Sequence, residues 1–146
     1  MTGGRDRPVR HLRLILPRRR ILIVDPSPTH RQLLELMLDG RHDVDSASDA
    51  ATGIAVAFSL RPDLILLDVE LPDRSGFDVC RALRAARETR WTPIILVTCH
   101  GDERAVATGF QTGCTDVIVK PVEPLEFRAK VESWLVVAPF RPDAAR

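Results

Sequence analysis

The chain has 146 residues, of which 45% are hydrophobic and 28% are charged, and its net charge is +1. This length suits one domain around a single core, and the composition is typical of a globular protein. No apolar stretch approaches the roughly 20 residues that a membrane span needs. We therefore expect no membrane insertion, and since the start lacks a signal-peptide pattern we expect a cytoplasmic location.

Positive charge is concentrated at the start of the chain. Residues 1–20 contain seven arginines and one aspartate, a net charge of +6 in a chain whose total is only +1. We expect residues 1–19 to form a basic arm that is solvated and lacks fixed structure; contact with nucleic acid, anionic lipid or an acidic partner is the alternative. The folded domain is predicted at residues 20–137, and a C-terminal tail at residues 138–146.

The cysteines indicate neither a disulfide framework nor a zinc site. Cys80, Cys99 and Cys114 are odd in number and contain no C-x-x-C pair. We expect all three to be buried, reduced thiols.

The predicted elements alternate between short apolar runs, typical of strands covered on both faces, and segments with one apolar stripe at helical spacing. In chain order the strands are Ile21–Val24, a weaker one at His42–Ser46, Leu64–Leu67, Ile94–Val97 and Val117–Val119. Helices begin near Ser27-Pro28, Asp49, Asp102 and Glu123-Pro124, where capping residues or first-turn prolines occur. Five such units predict a doubly wound α/β domain with a parallel sheet.

Four of the predicted strands end in polar residues, namely Asp25, Asp68, Thr98 and Lys120. In an open parallel sheet the carboxyl ends of the strands form the site, so these four side chains should gather there. A carboxylate can attack phosphorus, a lysine can offset phosphoryl charge, and a hydroxyl can donate a hydrogen bond to a phosphoryl oxygen. The combination indicates phosphoryl transfer to an aspartate.

With these residues the chain resembles a response-regulator receiver domain, the CheY-like family of two-component signalling. The matching stretches are Ile21–Asp25, Asp63–Gly76, Pro93–Thr98 and Val119–Pro121. The resemblance implies five helices around a sheet of strand order 2-1-3-4-5. It also implies Asp68 as phosphoacceptor, Thr98 as switch hydroxyl and Lys120 as phosphate partner, with the Lys120-Pro121 peptide often cis.

The resemblance further implies a Mg²⁺ site formed by Asp25, Asp68 and the backbone carbonyl of Glu70. In the family a second acidic residue follows the first, whereas this chain has Pro26. We therefore expect weakened Mg²⁺ binding. Water or the Glu70 side chain are the candidates for filling the vacant ligand position, and a solvated Glu70 that tunes hydrolysis of the aspartyl phosphate is the alternative.

Three further residues near the site bear on signalling. Val117 stands where the family usually has Tyr or Phe, so the usual aromatic coupling to Thr98 is in doubt. Cys99 is small enough to leave Asp68 accessible, and a redox role is a minor alternative. For His100 an exposed loop position is the default, with assistance to proton transfer as the alternative.

The predicted function is a receiver that accepts a phosphoryl group from a histidine kinase or phosphotransfer protein and signals by protein-protein interaction, not as an enzyme. The face formed by residues 102–111, 117 and 123–136 is the expected surface for a target or homodimer. We expect contact with nucleic acid only through the basic arm.

The serious rival is a pseudo-receiver, a phosphorylation-independent interaction module. A phosphohydrolase would need a cap domain, and a nucleotide site would need a glycine-rich loop after Asp25.

Overall fold

The computed structural model describes residues 17–138 of the chain. Five parallel strands form one sheet in the order β2-β1-β3-β4-β5, which confirms the predicted doubly wound topology. The strands are β1 (Arg20–Val24), β2 (Asp43–Ala47), β3 (Leu64–Asp68), β4 (Ile94–Thr98) and β5 (Asp116–Val119).

Five helices cover the two faces of the sheet, as expected. They are α1 (Pro28–Met37), α2 (Ala50–Leu60), α3 (Gly76–Ala85), α4 (Glu103–Gln111) and α5 (Pro124–Val137). The four predicted N-cap positions are confirmed, because the side chains of Ser27, Asp49, Asp102 and Glu123 each accept a hydrogen bond from a backbone N–H in the first turn.

The core lies on both faces because successive strand side chains point to opposite sides. In β1, Leu22 and Val24 belong to the cluster under α2 and α3, whereas Ile21 and Ile23 belong to the cluster under α1 and α5. Every residue of β3 and β4 is buried, which explains why these strands are continuous apolar runs. Burial of each such Leu or Ile contributes about 1.5–3 kcal/mol.

Three details of the predicted elements were wrong. The second strand spans Asp43–Ala47 rather than His42–Ser46, because its register is set by pairing with β1, from Arg20 opposite Asp43 onward. The apolar spacing of Leu33, Leu34, Met37 and Leu38 predicts that all four face the core, yet Leu33 is 44% exposed. Cys80 and Cys114 are buried, but Cys99 is exposed because it follows the last residue of β4.

The ends of the chain bear on the predicted boundaries. Residues 1–16 and 139–146 lie outside the described residues, so the basic arm and the C-terminal tail remain predictions. Of the predicted basic arm, residues 17–19 are described, and Arg18 forms an exposed 3.0 Å ion pair with Asp43 at the start of β2. Among residues 17–138, no helix has the length and apolar character required to cross a membrane.

Candidate functional site

One edge of the sheet collects the four polar residues that the sequence predicted to meet. Asp68 and Thr98 are the last residues of β3 and β4, while Asp25 and Lys120 directly follow β1 and β5. Asp25, Asp68 and Thr98 are only 2%, 4% and 4% exposed. Such burial of polar groups requires partners within the protein.

Lys120 connects the two buried carboxylates. Its Nζ lies 2.6 Å from Asp68 Oδ2 and 3.9 Å from Asp25 Oδ2. The other oxygen of Asp68 accepts a hydrogen bond from the Glu70 N–H at 2.8 Å. The Lys120-Pro121 peptide is cis, as expected. One ammonium group therefore faces both carboxylates at the bottom of the site.

Burial and the contact between Lys120 and Asp68 together set the pKa values of this pair. Burial raises the pKa of Asp68, although the hydrogen bonds from Lys120 and from the Glu70 N–H partly oppose this effect. For Lys120, burial alone would lower the pKa, but the hydrogen bond and the charge of Asp68 outweigh it and raise the pKa overall. Lys120 thus stays an ammonium, while the ionised form of Asp68 is less stable in the protein than it would be in water. A destabilised carboxylate is suited to act as a nucleophile.

The loop after β3 is held in place by its own backbone. The Gly76 N–H donates to the Val69 carbonyl at 2.7 Å, and a Cβ at Gly76 would lie 2.2 Å from the Asp68 carbonyl oxygen. At the outer end, the Asp73 carboxylate accepts hydrogen bonds from the N–H groups of Ala50 and Ala51 at the start of α2. These contacts fix the backbone on either side of Glu70.

An exposed contact between two side chains spans the mouth of the site. Glu70 Oε1 lies 2.8 Å from His100 Nε2, and both side chains are more than half exposed. The His100 N–H donates to Thr98 Oγ1 at 3.0 Å, so the hydroxyl hydrogen of Thr98 can be donated to another acceptor. The Glu70 side chain therefore points to His100. His100 is exposed, as expected for a loop residue.

Asp25 is held by Ser27, which caps α1, and by two residues of α1 that the sequence did not single out. Its Oδ1 accepts a hydrogen bond from the Ser27 N–H at 2.8 Å, and its Oδ2 contacts His30 Nδ1. Arg31 Nη1 donates to the Asp25 carbonyl oxygen at 2.6 Å. His30 and Arg31 fall in the first turns of the predicted helix, five and six residues after Asp25, and that proximity was the available signal.

The site offers oxygen ligands for a divalent cation, though few of them. Asp25 and Asp68 converge on the same ammonium group, and Pro26 contributes no side-chain ligand. Within the described part of the chain, no three His, Cys, Asp or Glu side chains are arranged as a metal cluster. Magnesium prefers oxygen ligands and commonly keeps several waters. Two carboxylates fit such a largely hydrated ion.

Val117 lies away from the mouth of the site. Its side chain is partly buried and packs against the core cluster under α2 and α3. Beside Thr98 is a hollow of about 230 Å³, whose lining includes Phe77 from α3 and Ala105 from α4. The space next to the hydroxyl is therefore bounded by helices, and Val117 is not part of its lining.

Comparison with known proteins agrees with this geometry. The chain is 38% identical over 119 residues to the DNA-binding response regulator MtrA of Mycolicibacterium smegmatis, which covers 81% of this chain and 51% of MtrA. It is 37% identical over 128 residues to the transcriptional regulator RpaA of Synechocystis, covering 87% of this chain and 53% of RpaA. The chain thus spans about half the length of these curated relatives.

Solved structures show the same fold. The response regulator CheY4 of Vibrio cholerae superposes with a TM-score of 0.76 at 28% identity, covering 81% of this chain and 99% of CheY4. The receiver domain of a sensor histidine kinase from Pseudomonas aeruginosa, solved with magnesium in its active-site cleft, gives 0.76 at 27% identity, covering 82% of this chain and 99% of that domain. A model of the response regulator receiver domain matches residues 21–132. This chain belongs to the response regulator receiver domain family.

Proposed function

We propose that this chain accepts a phosphoryl group at Asp68 from a histidine kinase or a phosphotransfer protein. An Asp68 carboxylate oxygen would attack the phosphorus of a phosphohistidine, the P–N bond would break, and the imidazole would leave with the bonding electron pair. The observation that carries the proposal is the 2.6 Å contact between Lys120 Nζ and Asp68 Oδ2 at the carboxyl end of the sheet. This contact supports the proposal because the ammonium group would offset the charge of a phosphoryl group on Asp68.

Thr98 and Lys120 would stabilise the phosphoryl group in different ways. Lys120 would offset its charge, and Thr98 would donate its hydroxyl hydrogen to a phosphoryl oxygen while still accepting from the His100 N–H. Because Val117 has no ring to reorient, we attribute the signal to movement of the loop and of α4 around Thr98. The hollow between Phe77 and Ala105 leaves room for that movement.

Magnesium would be held by Asp25, Asp68 and the Glu70 backbone carbonyl, with water completing its shell. When bound, the ion supplies positive charge that offsets the carboxylates and the incoming phosphoryl group. Pro26 removes one carboxylate, which supports weak binding. The Glu70 side chain is paired with His100, so we favour water over this side chain as the replacement ligand.

Output would depend on protein partners. The face formed by residues 102–111, 117 and 123–136 carries exposed apolar side chains, including Phe110 at 49%, Leu125 at 74% and Val136 at 80% exposure. Such side chains suit a downstream target or a second copy of the chain. We propose a cytoplasmic signalling role without independent enzymatic turnover. Nucleic-acid contact would require the basic arm at residues 1–19 or parts of a longer protein.

The rival function is a phosphorylation-independent interaction module. It is favoured by two observations at one residue: Asp25 is followed by Pro26, and its carboxylate is already engaged by Ser27 and His30. The pseudo-receiver would use the same fold and the same outer face. Unlike the phosphorylated receiver, it would require neither Mg²⁺ nor a nucleophile at Asp68.

Intact-mass spectrometry after incubation with acetyl phosphate separates the two functions. We expect a single phosphoryl adduct that forms with Mg²⁺, is lost with chelator and is absent in Asp68→Asn. Asp78→Asn, at an exposed carboxylate of α3, is the matched control and should form the adduct normally. No adduct even at high Mg²⁺ would support the pseudo-receiver.

A further inference from the structure

Asp25 has a protein partner on each of its carboxylate oxygens. Oδ1 accepts from the Ser27 N–H at 2.8 Å, and Oδ2 contacts His30 Nδ1. Lys120 Nζ is more distant, at 3.9 Å. The contact with His30 is a hydrogen bond between the two side chains. His30 is thus the side chain that engages the oxygen facing the rest of the site.

The helix holds His30 in this position. Its backbone N–H donates to the capping hydroxyl of Ser27 at 3.2 Å, and the neighbouring Arg31 donates to the Asp25 carbonyl at 2.6 Å. The His30 side chain is only 17% exposed. The first turn of α1 therefore holds the imidazole in contact with the carboxylate. Because His30 is largely buried, forming this contact does not require a mobile surface side chain to become ordered.

A buried carboxylate at 2% exposure needs charge or hydrogen-bond partners. A divalent ion would meet this need, and the His30 imidazole meets it without one. A cation held by Oδ2 would act on the oxygen that His30 already contacts. The lone pairs on Oδ2 are limited in number and shielded from solvent, so a cation that approaches Asp25 must displace the imidazole or share the oxygen with it.

We propose that His30 restrains Asp25 and lowers the affinity of the site for divalent cations. His30 acts as a positioning residue, and its effect on metal affinity adds to that of Pro26. The inference concerns the metal site of the proposed function. It predicts that metal binding and the His30–Asp25 contact oppose one another, so that each weakens the other.

The test measures metal binding without any phosphoryl donor. Isothermal titration with Mg²⁺, and electron paramagnetic resonance of free Mn²⁺, are applied to the wild type, His30→Met and His30→Asn. Methionine removes the donor and keeps a good helix former, and we expect about tenfold tighter binding, since a hydrogen bond to a charged group is released. Asparagine carries an amide N–H near the place of Nδ1, so His30→Asn should return toward wild-type affinity.

A variant that combines His30→Met with Asp25→Asn should lose the gain in metal affinity, because the proposed effect acts through the Asp25 carboxylate. Circular dichroism melts check that every variant is folded. Unchanged affinity in His30→Met, or no detectable binding in either protein, would overturn the inference. Weaker binding in His30→Met would also overturn it and would identify His30 as a ligand. Failure of Asp68 to accept a phosphoryl group would leave these titrations unaffected, so the two proposals fail separately.

Discussion

Lys120 Nζ lies 2.6 Å from Asp68 Oδ2, although these residues belong to the ends of β5 and β3, which are separated in the sheet by β4. The lysine therefore reaches past the end of β4, where Thr98 is located. The Lys120 N–H also donates to the Thr98 carbonyl at 2.7 Å, which ties the two strand ends together. The ends of three neighbouring strands thus bring a carboxylate, a hydroxyl and an ammonium group to the same edge of the sheet.

Replacing Pro26 with Asp should restore a carboxylate to the metal site. We expect Mg²⁺ to bind about tenfold more tightly to Pro26→Asp, which corresponds to ~1.4 kcal/mol, because a charged oxygen ligand replaces a water. Calorimetric titration with Mg²⁺ measures the change. Pro28→Asp, which adds the same charge at the first residue of α1, is the control. Equal gains in both variants would show that general electrostatics, and not a ligand, cause the effect.

Gly76→Ala should destabilise the protein even though alanine is the better helix former. The added Cβ would lie 2.2 Å from the Asp68 carbonyl oxygen and 2.7 Å from Val69 Cα, and neither backbone atom can turn aside as a side chain can. We expect a loss of about 2 kcal/mol or more in the free energy of unfolding. Denaturation in urea measures this loss.

Gly101→Ala is the matched control for this substitution. The atoms nearest to its Cβ would belong to the Val119 side chain, with both methyl groups at 3.0 Å, and that exposed side chain can adjust. We expect a loss below about 1 kcal/mol. Equal losses for the two glycines would contradict the close backbone approach at Gly76.

Arg84→Met should destabilise the fold without affecting the phosphoryl site. The guanidinium donates to five oxygen atoms, namely the carbonyls of Gly113, Thr89, Arg90 and Thr92 and the hydroxyl of Thr115. Methionine keeps much of the side-chain volume but removes all of these hydrogen bonds. We expect a loss of about 3 kcal/mol in urea denaturation, with normal adduct formation in the protein that remains folded.

The control is Arg81→Met, on the exposed side of the same helix, where the arginine pairs with Asp78 and both side chains are more than half exposed. An exposed pair of this kind contributes about 0–1 kcal/mol. A similar loss for Arg81→Met and Arg84→Met would contradict the structural role assigned to Arg84.

Asp116 should make stability depend on pH. Burial raises the pKa of its carboxyl, but hydrogen bonds from Trp134, the Val117 N–H and Lys130, together with the charge of Lys130, outweigh it and hold the pKa below its ordinary value of 3.8. A depressed folded-state pKa stabilises the fold above the ordinary value, and this contribution is lost as the pH falls through the lower, folded value.

Asp116→Asn removes this contribution. At about pH 6 we expect the wild type to be roughly 1 kcal/mol more stable than the variant. The difference should shrink as the pH falls below 3.8. Urea denaturation followed by tryptophan fluorescence measures both proteins, and Asp78→Asn serves as the exposed control. A difference that stays constant across this range would contradict the role given to Asp116.

Much of the fold and the core of the site could be predicted from the sequence. Continuous apolar runs locate strands that are buried on both faces, and the carboxyl ends of parallel strands must lie at one edge. Asp25, Asp68, Thr98 and Lys120 were therefore predictable as neighbours before any contact was known. The least apolar strand was predicted one residue too early, because only the pairing of Arg20 with Asp43 fixes its register.

Contacts that depend on how an element is oriented could not be predicted. Whether His30 reaches Asp25 depends on the direction in which α1 leaves the turn at Ser27, and helical spacing alone does not determine this direction. The Glu70–His100 pair joins two loops whose separation is set by the sheet. Arg84 resembles an ordinary basic residue of a helix in the sequence. Three of its acceptors follow α3 directly, but Gly113 and Thr115 lie 29 and 31 residues further along the chain.

The position of the phosphoryl group tests the central claim most directly. The protein is treated with acetyl phosphate and saturating Mg²⁺ and then with borohydride, which reduces an aspartyl phosphate to homoserine, and the modified residue is located by peptide mass spectrometry. We predict homoserine at position 68 and at no other aspartate. Homoserine at another position, or its absence at saturating Mg²⁺, would contradict the assignment of Asp68 as the phosphoacceptor.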